Sequence, residues 1–460
     1  MKKPLVVIVS AFAAGYLAIS AIAWHHDTTY AEASVARPAA SPEASRIRSV
    51  FDRNACYYCH SATTVLPGYA ALPGIKQLSE RDVQTGLRYF RLDAIYDSLR
   101  DGTPPPEADL AKIEAVTKNG TMPPPLFRSV HWSTGLTEDD RQTLLNWIAQ
   151  SRRQWYATQG AAEAFANDPV QPLPDSLPVD KRKVALGMRL FHDTRLSSDN
   201  TISCASCHSL ATGGVDGRKY SLGVNGGLGG VNAPTVFNAA LNHKQFWDGR
   251  AATLQDQAGG PPLNPVEMAS TSWDQIVGKL KQDSAFTSDF VAVYPDGWSG
   301  SNITNAIAEF EKTLLTPSRF DAYLRGNLQA LNSEEARGYA LFKEKGCATC
   351  HVGKNLGGQS FEHMGRASDW FAARGTEPTE ADNGRANVTK DPLDGRSFKV
   401  PGLRNVELTA PYFHDGSVTG LQEAVRDMAK YQLGTTLSDD DEKAIVAFLK
   451  SLTGTYNPVR

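Results

Sequence analysis

The 460-residue sequence predicts a mainly α protein, with three helical units in tandem behind an apolar N-terminal helix. Three observations carry that prediction. The pattern C-x-x-C-H occurs as Cys56-Tyr57-Tyr58-Cys59-His60, Cys204-Ala205-Ser206-Cys207-His208 and Cys347-Ala348-Thr349-Cys350-His351. Apolar residues at helical spacing flank these motifs, and strand-like alternation is scarce throughout. The composition, 41% hydrophobic and 21% charged, is that of a chain able to bury several cores.

Two thiols three positions apart can form thioethers to the two vinyl groups of one haem, and the following His supplies the proximal iron ligand. A zinc site wants paired C-x-x-C units, and a redox dithiol does not need the trailing His. All six cysteines lie in the motifs, so none is left for disulfides or another metal. Three covalently bound c-type haems are therefore expected, on Cys56 and Cys59, Cys204 and Cys207, and Cys347 and Cys350. His60, His208 and His351 are the expected proximal ligands. A net charge of −3 gives no case for nucleic acid as a partner.

In chain order, Lys2 and Lys3 precede an uncharged, mostly apolar run from Pro4 to Trp24. That run matches the ~20 residues that span a bilayer and exceeds a usual signal-peptide core. Residues 1–27 are read as a transmembrane anchor with its N-terminus in the cytoplasm, leaving the rest in the periplasm of a bacterial cell. Cleavage near Ala21-Ile22-Ala23 or Ala31-Glu32-Ala33 is the alternative and would release a soluble periplasmic protein. Residues 28–45, rich in Ala, Ser and Pro, read as a tether.

The first haem unit, 46–165, begins with a helix over Ala44 to Asn54. It closes with Leu136-Thr137-Glu138-Asp139-Asp140, where Thr137 can cap a helix through Leu144, Trp147 and Ile148. Residues 166–180 are too proline-rich for a helix interior and mark a boundary. The second unit, 181–332, and the third, 333–460, open on similar helices, Leu186-Gly187-Met188-Arg189-Leu190-Phe191 and Gly338-Tyr339-Ala340-Leu341-Phe342. The third closes like the first, with Leu437-Ser438-Asp439-Asp440-Asp441 ahead of Ile445, Phe448 and Leu449. The middle unit lacks a closing helix of that type. A helix, a haem motif and a late capped helix together describe a small cytochrome c-like domain.

What each iron does depends on its sixth ligand, because a His/Met pair suits electron transfer and an open side suits catalysis. Met122, in the rigid loop Gly120-Thr121-Met122-Pro123-Pro124-Pro125, is expected on the first haem. Met428 is expected on the third, in preference to Met364. Met188 is assigned to a helix core. Met268 and His243 are the nearest candidates for the middle haem, but neither stands in a comparable loop, so that haem is expected to be five-coordinate.

From about Val179 to Thr455 the chain resembles the bacterial dihaem cytochrome c peroxidases. The resemblance rests on Phe191-His192-Asp193-Thr194-Arg195-Leu196-Ser197, Asn232-Ala233-Pro234-Thr235, Phe246-Trp247-Asp248-Gly249-Arg250, Val266-Glu267-Met268, Leu403-Arg404-Asn405-Val406 and Ala410-Pro411-Tyr412-Phe413-His414. With the extra haem motif and the anchor, the whole chain resembles the trihaem, membrane-anchored quinol peroxidases. The resemblance implies that the middle haem is peroxidatic and the C-terminal haem transfers electrons. It implies Glu267 as the catalytic carboxylate, Gln257 as its neighbour in the peroxide pocket, Trp247 between the two haems and Met428 as axial ligand. Met428 separates the chain from the branch that places Tyr there to oxidise a partner protein. A calcium site formed by Asn232 and the carbonyls of Thr409 and Pro411 is implied as well.

One departure matters. Many members close the resting peroxidatic haem with a His in the loop after the second motif, but Gly223-Val224-Asn225-Gly226 carries Val224 there. An aliphatic side chain cannot ligate iron, so readiness for peroxide without reductive activation is expected. The expected reaction is reduction of hydrogen peroxide to water with electrons from membrane quinol, entering through the N-terminal haem. A small soluble redox protein as donor, a homodimer and a purely electron-carrying role stay open at this point.

Overall fold

The computed structural model describes residues 3–34 and 37–457, with side chains from residue 9 onward. The chain divides into two compact units, Met1–Tyr156 and Ala157–Arg460.

In the first unit, α1 (Lys3–Ser34) leads into α2 (Pro42–Arg53), α3 (Ile75–Tyr89), α4 (Leu92–Asp101), α5 (Glu107–Asn119) and α6 (Glu138–Ser151). Helix α2 begins where the Ser41 hydroxyl accepts from the Ala44 N–H, and it buries Ile47, Val50 and Phe51 on one face. Those residues meet Leu92, Ile95, Leu144, Trp147 and Ile148 in a single core. The expected Thr137 cap starts α6, with the Asp140 carboxylate closing a capping box.

The expected tether is largely helix. Helix α1 runs to Ser34, and its last turns bury Ala23, Asp27 and Ser34. The Asp27 carboxylate accepts from the Tyr58 hydroxyl (3.0 Å) and from His131 Nδ1 (2.8 Å), and the Ser34 hydroxyl donates to Asp52. Composition suggested a tether because these polar residues find partners far along the chain. Among the described residues no helix is long and apolar enough to cross a membrane. The first side chains of the run expected to do so, up to Ile8, lie outside the described residues, and residues 9–18 are exposed.

The second unit holds two cores. Around the middle motif, α7 (Lys181–Phe191) crosses α9 (Gly300–Glu311), with the short α8 (Leu254–Ala258) beside α9. Around the third, α10 (Ser333–Glu344) crosses α12 (Asp439–Lys450), preceded by α11 (Leu421–Asp427). Each crossing needs a glycine. A Cβ on Gly187 would sit 1.9 Å from the Ala306 carbonyl oxygen, and one on Gly338 would sit 1.9 Å from that of Ala444. Phe310 and Phe448 are the next contacts in the two crossings.

The middle unit therefore has a closing helix, α9, but not of the acid-capped type that closes the first and third units. It was concealed because Ser299 caps a first turn of Gly-Ser-Asn with no acidic residue. The units part at Tyr156 and Ala157, ahead of the proline-rich stretch at which a boundary is expected. There Val170 is buried and bridges to Gly353, and Asp168 accepts from the Tyr339 hydroxyl (2.6 Å) and Lys343 Nζ (2.7 Å). Among the described residues one antiparallel strand pair forms, β1 (Phe361–His363) on β2 (Ser397–Lys399).

Candidate functional site

The three motif histidines share one geometry. His60 Nδ1 faces the carbonyl oxygens of Gly86 (3.1 Å) and Phe90 (3.2 Å), His208 Nδ1 that of Gly214 (3.4 Å), and His351 Nδ1 that of Leu356 (3.0 Å). A carbonyl can only accept, so the proton is fixed on Nδ1 and the Nε2 lone pair is left for a metal. Burial lowers all three below the ordinary 6.5, His351 to about 4, which keeps the rings neutral as ligation requires. All six cysteines are free of disulfides. The first motif is pressed onto α3, where a Cβ on Gly86 would lie 2.2 Å from the Cys59 carbonyl oxygen.

The third motif opens on a cleft of about 240 Å³ walled largely by apolar side chains. Cys347, Cys350 and His351 line it, and so do Met428 and Met364. Lys399 also lines it, 5% exposed, with no acidic partner among the described residues. An apolar slot with two thiols, a neutral imidazole, a thioether and one orphaned buried cation suits a haem, which brings apolar faces, an iron and carboxylates. On the same wall Trp247 Nε1 donates to the Asn232 carbonyl (2.9 Å) and the Lys399 N–H donates to the Trp247 carbonyl (2.7 Å). Asn232, Thr409 and Pro411 all line the cleft. The Asn232 Nδ2 group is spent on the Arg218 carbonyl (2.9 Å), which leaves its Oδ1 as a hard oxygen donor.

A second cavity, about 280 Å³, belongs to the middle unit and is lined by Phe246, Arg250, Asp256, Pro261, Asn264 and Glu267 among others. Glu267 Oε1 accepts from Asn264 Nδ2 at 2.7 Å. Burial raises the Glu267 carboxyl above the ordinary 4.5, while Arg250 and the Asn264 hydrogen bond pull the other way. The Arg250 guanidinium itself lies over the Phe246 ring, 3.5 Å from its centre. Val224 is buried, and its N–H donates to the Glu267 carbonyl oxygen at 2.8 Å. A Cβ on Gly223 would come within 2.3 Å of the Val266 carbonyl oxygen, so glycine lets this loop lie directly on the Glu267 backbone.

Not every expected residue arrives. Gln257 is half-buried on α8 but does not line the cavity. Met188 is 50% exposed, so the core role expected of it fails: the face of α7 that packs carries Leu186, Gly187 and Leu190. Met268 is sealed in the core, and His243 Nδ1 is held by the Gly358 carbonyl at 2.7 Å. Met122 is half-buried in the loop ahead of the short helix Pro125–Val130. Sequence reasoning missed Arg250, Asn264 and Lys399. Arg250 stood in a quoted string without a role, Asn264 had only its spacing of three from Glu267 as a signal, and Lys399 had none.

Three family descriptions match consecutive parts of the chain, one over each motif: a haem-binding domain over residues 15–150, the di-haem cytochrome c peroxidases over 181–329, and cytochrome c over 335–453. The cytochrome c peroxidase Ccp of Escherichia coli (strain K12) is 50% identical over 444 residues, 96% of this chain and 95% of that protein. The cytochrome c551 peroxidase of Nitrosomonas europaea is 45% identical over 300 residues, 63% of this chain and 85% of that protein. Among solved structures, a MauG-like protein associated with microbial copper homeostasis aligns with a TM-score of 0.54 at 29% identity, covering 62% of this chain and 92% of its own.

Proposed function

This chain belongs to the di-haem cytochrome c peroxidase family, and from that premise we propose that it is a trihaem peroxidase that reduces hydrogen peroxide to water with electrons from a membrane quinol. The observation that carries the reading is Glu267, a half-buried carboxyl lining the cavity of the middle unit and held there by Asn264.

Cys204, Cys207 and His208 would hold the peroxidatic haem, Cys347, Cys350, His351 and Met428 the electron-transferring one, and Cys56, Cys59, His60 and Met122 the N-terminal one. When bound, the middle haem supplies an open iron position and the other two supply electrons. Glu267 moves a proton from one peroxide oxygen to the other, so that the leaving group is water and not hydroxide. Asn264 fixes the orientation of the carboxyl, and the Arg250 guanidinium favours its ionised, basic form against the effect of burial. With two electrons and two further protons, each peroxide becomes two waters. Trp247 lies on the electron route from the C-terminal haem. Val224 has no donor atom and so would not ligate the iron of a resting haem.

Three family matches, one over each motif, support the count of three haems. The exposed, uncharged residues 9–18 of α1 support a membrane anchor with the catalytic part in the periplasm. Asn232 with the Thr409 and Pro411 carbonyls is proposed to take calcium. The deciding experiment is peroxide consumption by haem-loaded, unreduced protein with a quinol as sole donor. Turnover abolished by Glu267→Gln supports the reading. Turnover with a reduced soluble cytochrome but not with quinol would keep the peroxidase and replace the donor, and failure with both would leave an electron carrier.

A further inference from the structure

Lys399 stands in the last position of β2, and its pairing partner across the strands is Phe361. Glu362, paired with Phe398, lines the same cleft, and among the described residues Lys399 forms no ion pair with it. The Glu362 carboxylate accepts from the Ser360 hydroxyl at 2.9 Å. Burial of Lys399 is nearly complete, and desolvation alone lowers its ammonium to about 8. Lys399 shares the neighbourhood of the His243 ring with two further cations, Lys244 and Arg385. A buried ammonium without a counter-ion is costly, and the cost is relieved by losing the proton or by gaining an anion, of which only the second keeps the charge.

We propose that Lys399 is the carboxylate-binding residue of the C-terminal cleft, its ammonium pairing with a propionate of the haem attached at Cys347 and Cys350 and thereby raising the reduction potential of that haem. The inference rests on the reading that this cleft holds a haem, and it is independent of whether the protein turns over peroxide. A ferric iron that gains an electron gains negative charge, so a fixed nearby cation stabilises the reduced form. The position suits an electron donor to the neighbouring site, because the Lys399 backbone is hydrogen-bonded to the Trp247 carbonyl.

The test is a spectroelectrochemical titration of the holoprotein without peroxide, comparing Lys399→Met and Lys399→Arg with the parent. The Met variant keeps the stem and drops the charge, and its C-terminal haem should shift to lower potential by at least tenfold in the equilibrium constant, about 59 mV for one electron. The Arg variant should stay near the parent, and the other haems should not move. If the Met variant fails to take up haem, Lys399→Gln is read by the same criterion. An unchanged potential in the neutral variant, or an equal fall in the Arg variant, would overturn the proposal. The first result shows that the charge is not sensed, and the second shows that packing alone was disturbed.

Discussion

Replacing Glu267 by Gln separates the chemistry of the carboxyl from its place in the structure. The amide has the same shape, and its Oε1 can still accept from Asn264 Nδ2, which now lies 2.7 Å away. The backbone contact with Val224 is untouched, because it uses the Glu267 carbonyl. What is lost is the ability to take up and hand on a proton, ordinarily worth ~10²–10⁴ in rate. At about 1.36 kcal/mol per tenfold, that is roughly 2.7–5.4 kcal/mol of barrier. The assay is steady-state peroxide consumption with reduced donor in excess, at matched haem content. In the parent the rate should fall on acidification through the Glu267 pKa, because protonation removes the base, and this limb lies above the ordinary 4.5. The Gln variant should be slower across the range and lack the limb. A Gln variant within tenfold of the parent, with the acid limb intact, would refute the assignment of Glu267 as the proton-moving group.

Val224→His should place an imidazole in the loop that lies on the Glu267 backbone; the expected outcome is a resting enzyme with a low-spin middle haem and little activity until reduced, seen by optical and EPR spectroscopy, and an unchanged spectrum would show that the loop does not reach the iron. Arg404 grips the buried Asp321 with two 2.8 Å bonds, so Arg404→Met should cost about 3–5 kcal/mol in a denaturant titration by leaving that carboxylate unpaired. Burial raises the Asp321 pKa, but the Arg404 charge together with hydrogen bonds from the Leu173 and Ser318 N–H groups and from Arg404 itself outweighs it, and the net shift is downward. The stabilisation is therefore present above the unfolded value of ~3.9 and lost as pH falls through the lower folded value, a loss the Met variant should not show. Glu311, on α9, has the opposite sign: burial pushes it up to about 8. Between the unfolded value of ~4.3 and 8 the folded chain holds a proton that the unfolded chain has released, so this group's contribution weakens as pH rises. Glu311→Gln should flatten that dependence and gain stability over the parent at pH 8 relative to pH 5, by roughly 1.4 kcal/mol per pH unit at most.

What could be read from the sequence was what the chain encodes locally. Each haem motif is five contiguous residues, and the caps at Thr137 and Ser438 are made by side chains reaching N–H groups three positions on. The docking of α1 was not legible, because Asp27 and His131 are 104 positions apart and neither announces the other. Closing helix α9 escaped because its first turn lacks the acidic residues that mark α6 and α12. Glu267 could be singled out only through family resemblance, since by itself a Glu beside a Met is an ordinary surface pair. Lys399 had no signal at all. Its meaning comes from burial without a partner, a property of the folded cleft.

On the proposed assignment of haems, the second unit sets two different iron environments on one scaffold. Its halves cross their helices on the same device, Gly187 against the Ala306 carbonyl and Gly338 against that of Ala444, each backed by a phenylalanine. Helix packing therefore cannot distinguish the two sites, and the difference must come from the segments between the crossing helices. In the middle half those segments bring the ionisable Glu267 to a cavity whose lining includes no methionine, with Met268 sealed in the core and the buried Val224 on the Glu267 backbone. In the C-terminal half they bring Met428 and the orphaned cation of Lys399 to the cleft of the third motif. A thioether and a nearby positive charge both favour the reduced iron, whereas an aliphatic residue and a proton carrier leave an iron that must take its sixth ligand from solution. The free-energy slope for electrons, from the C-terminal site toward peroxide at the middle one, is on this account set by a few loop residues and is indifferent to the helices that hold them.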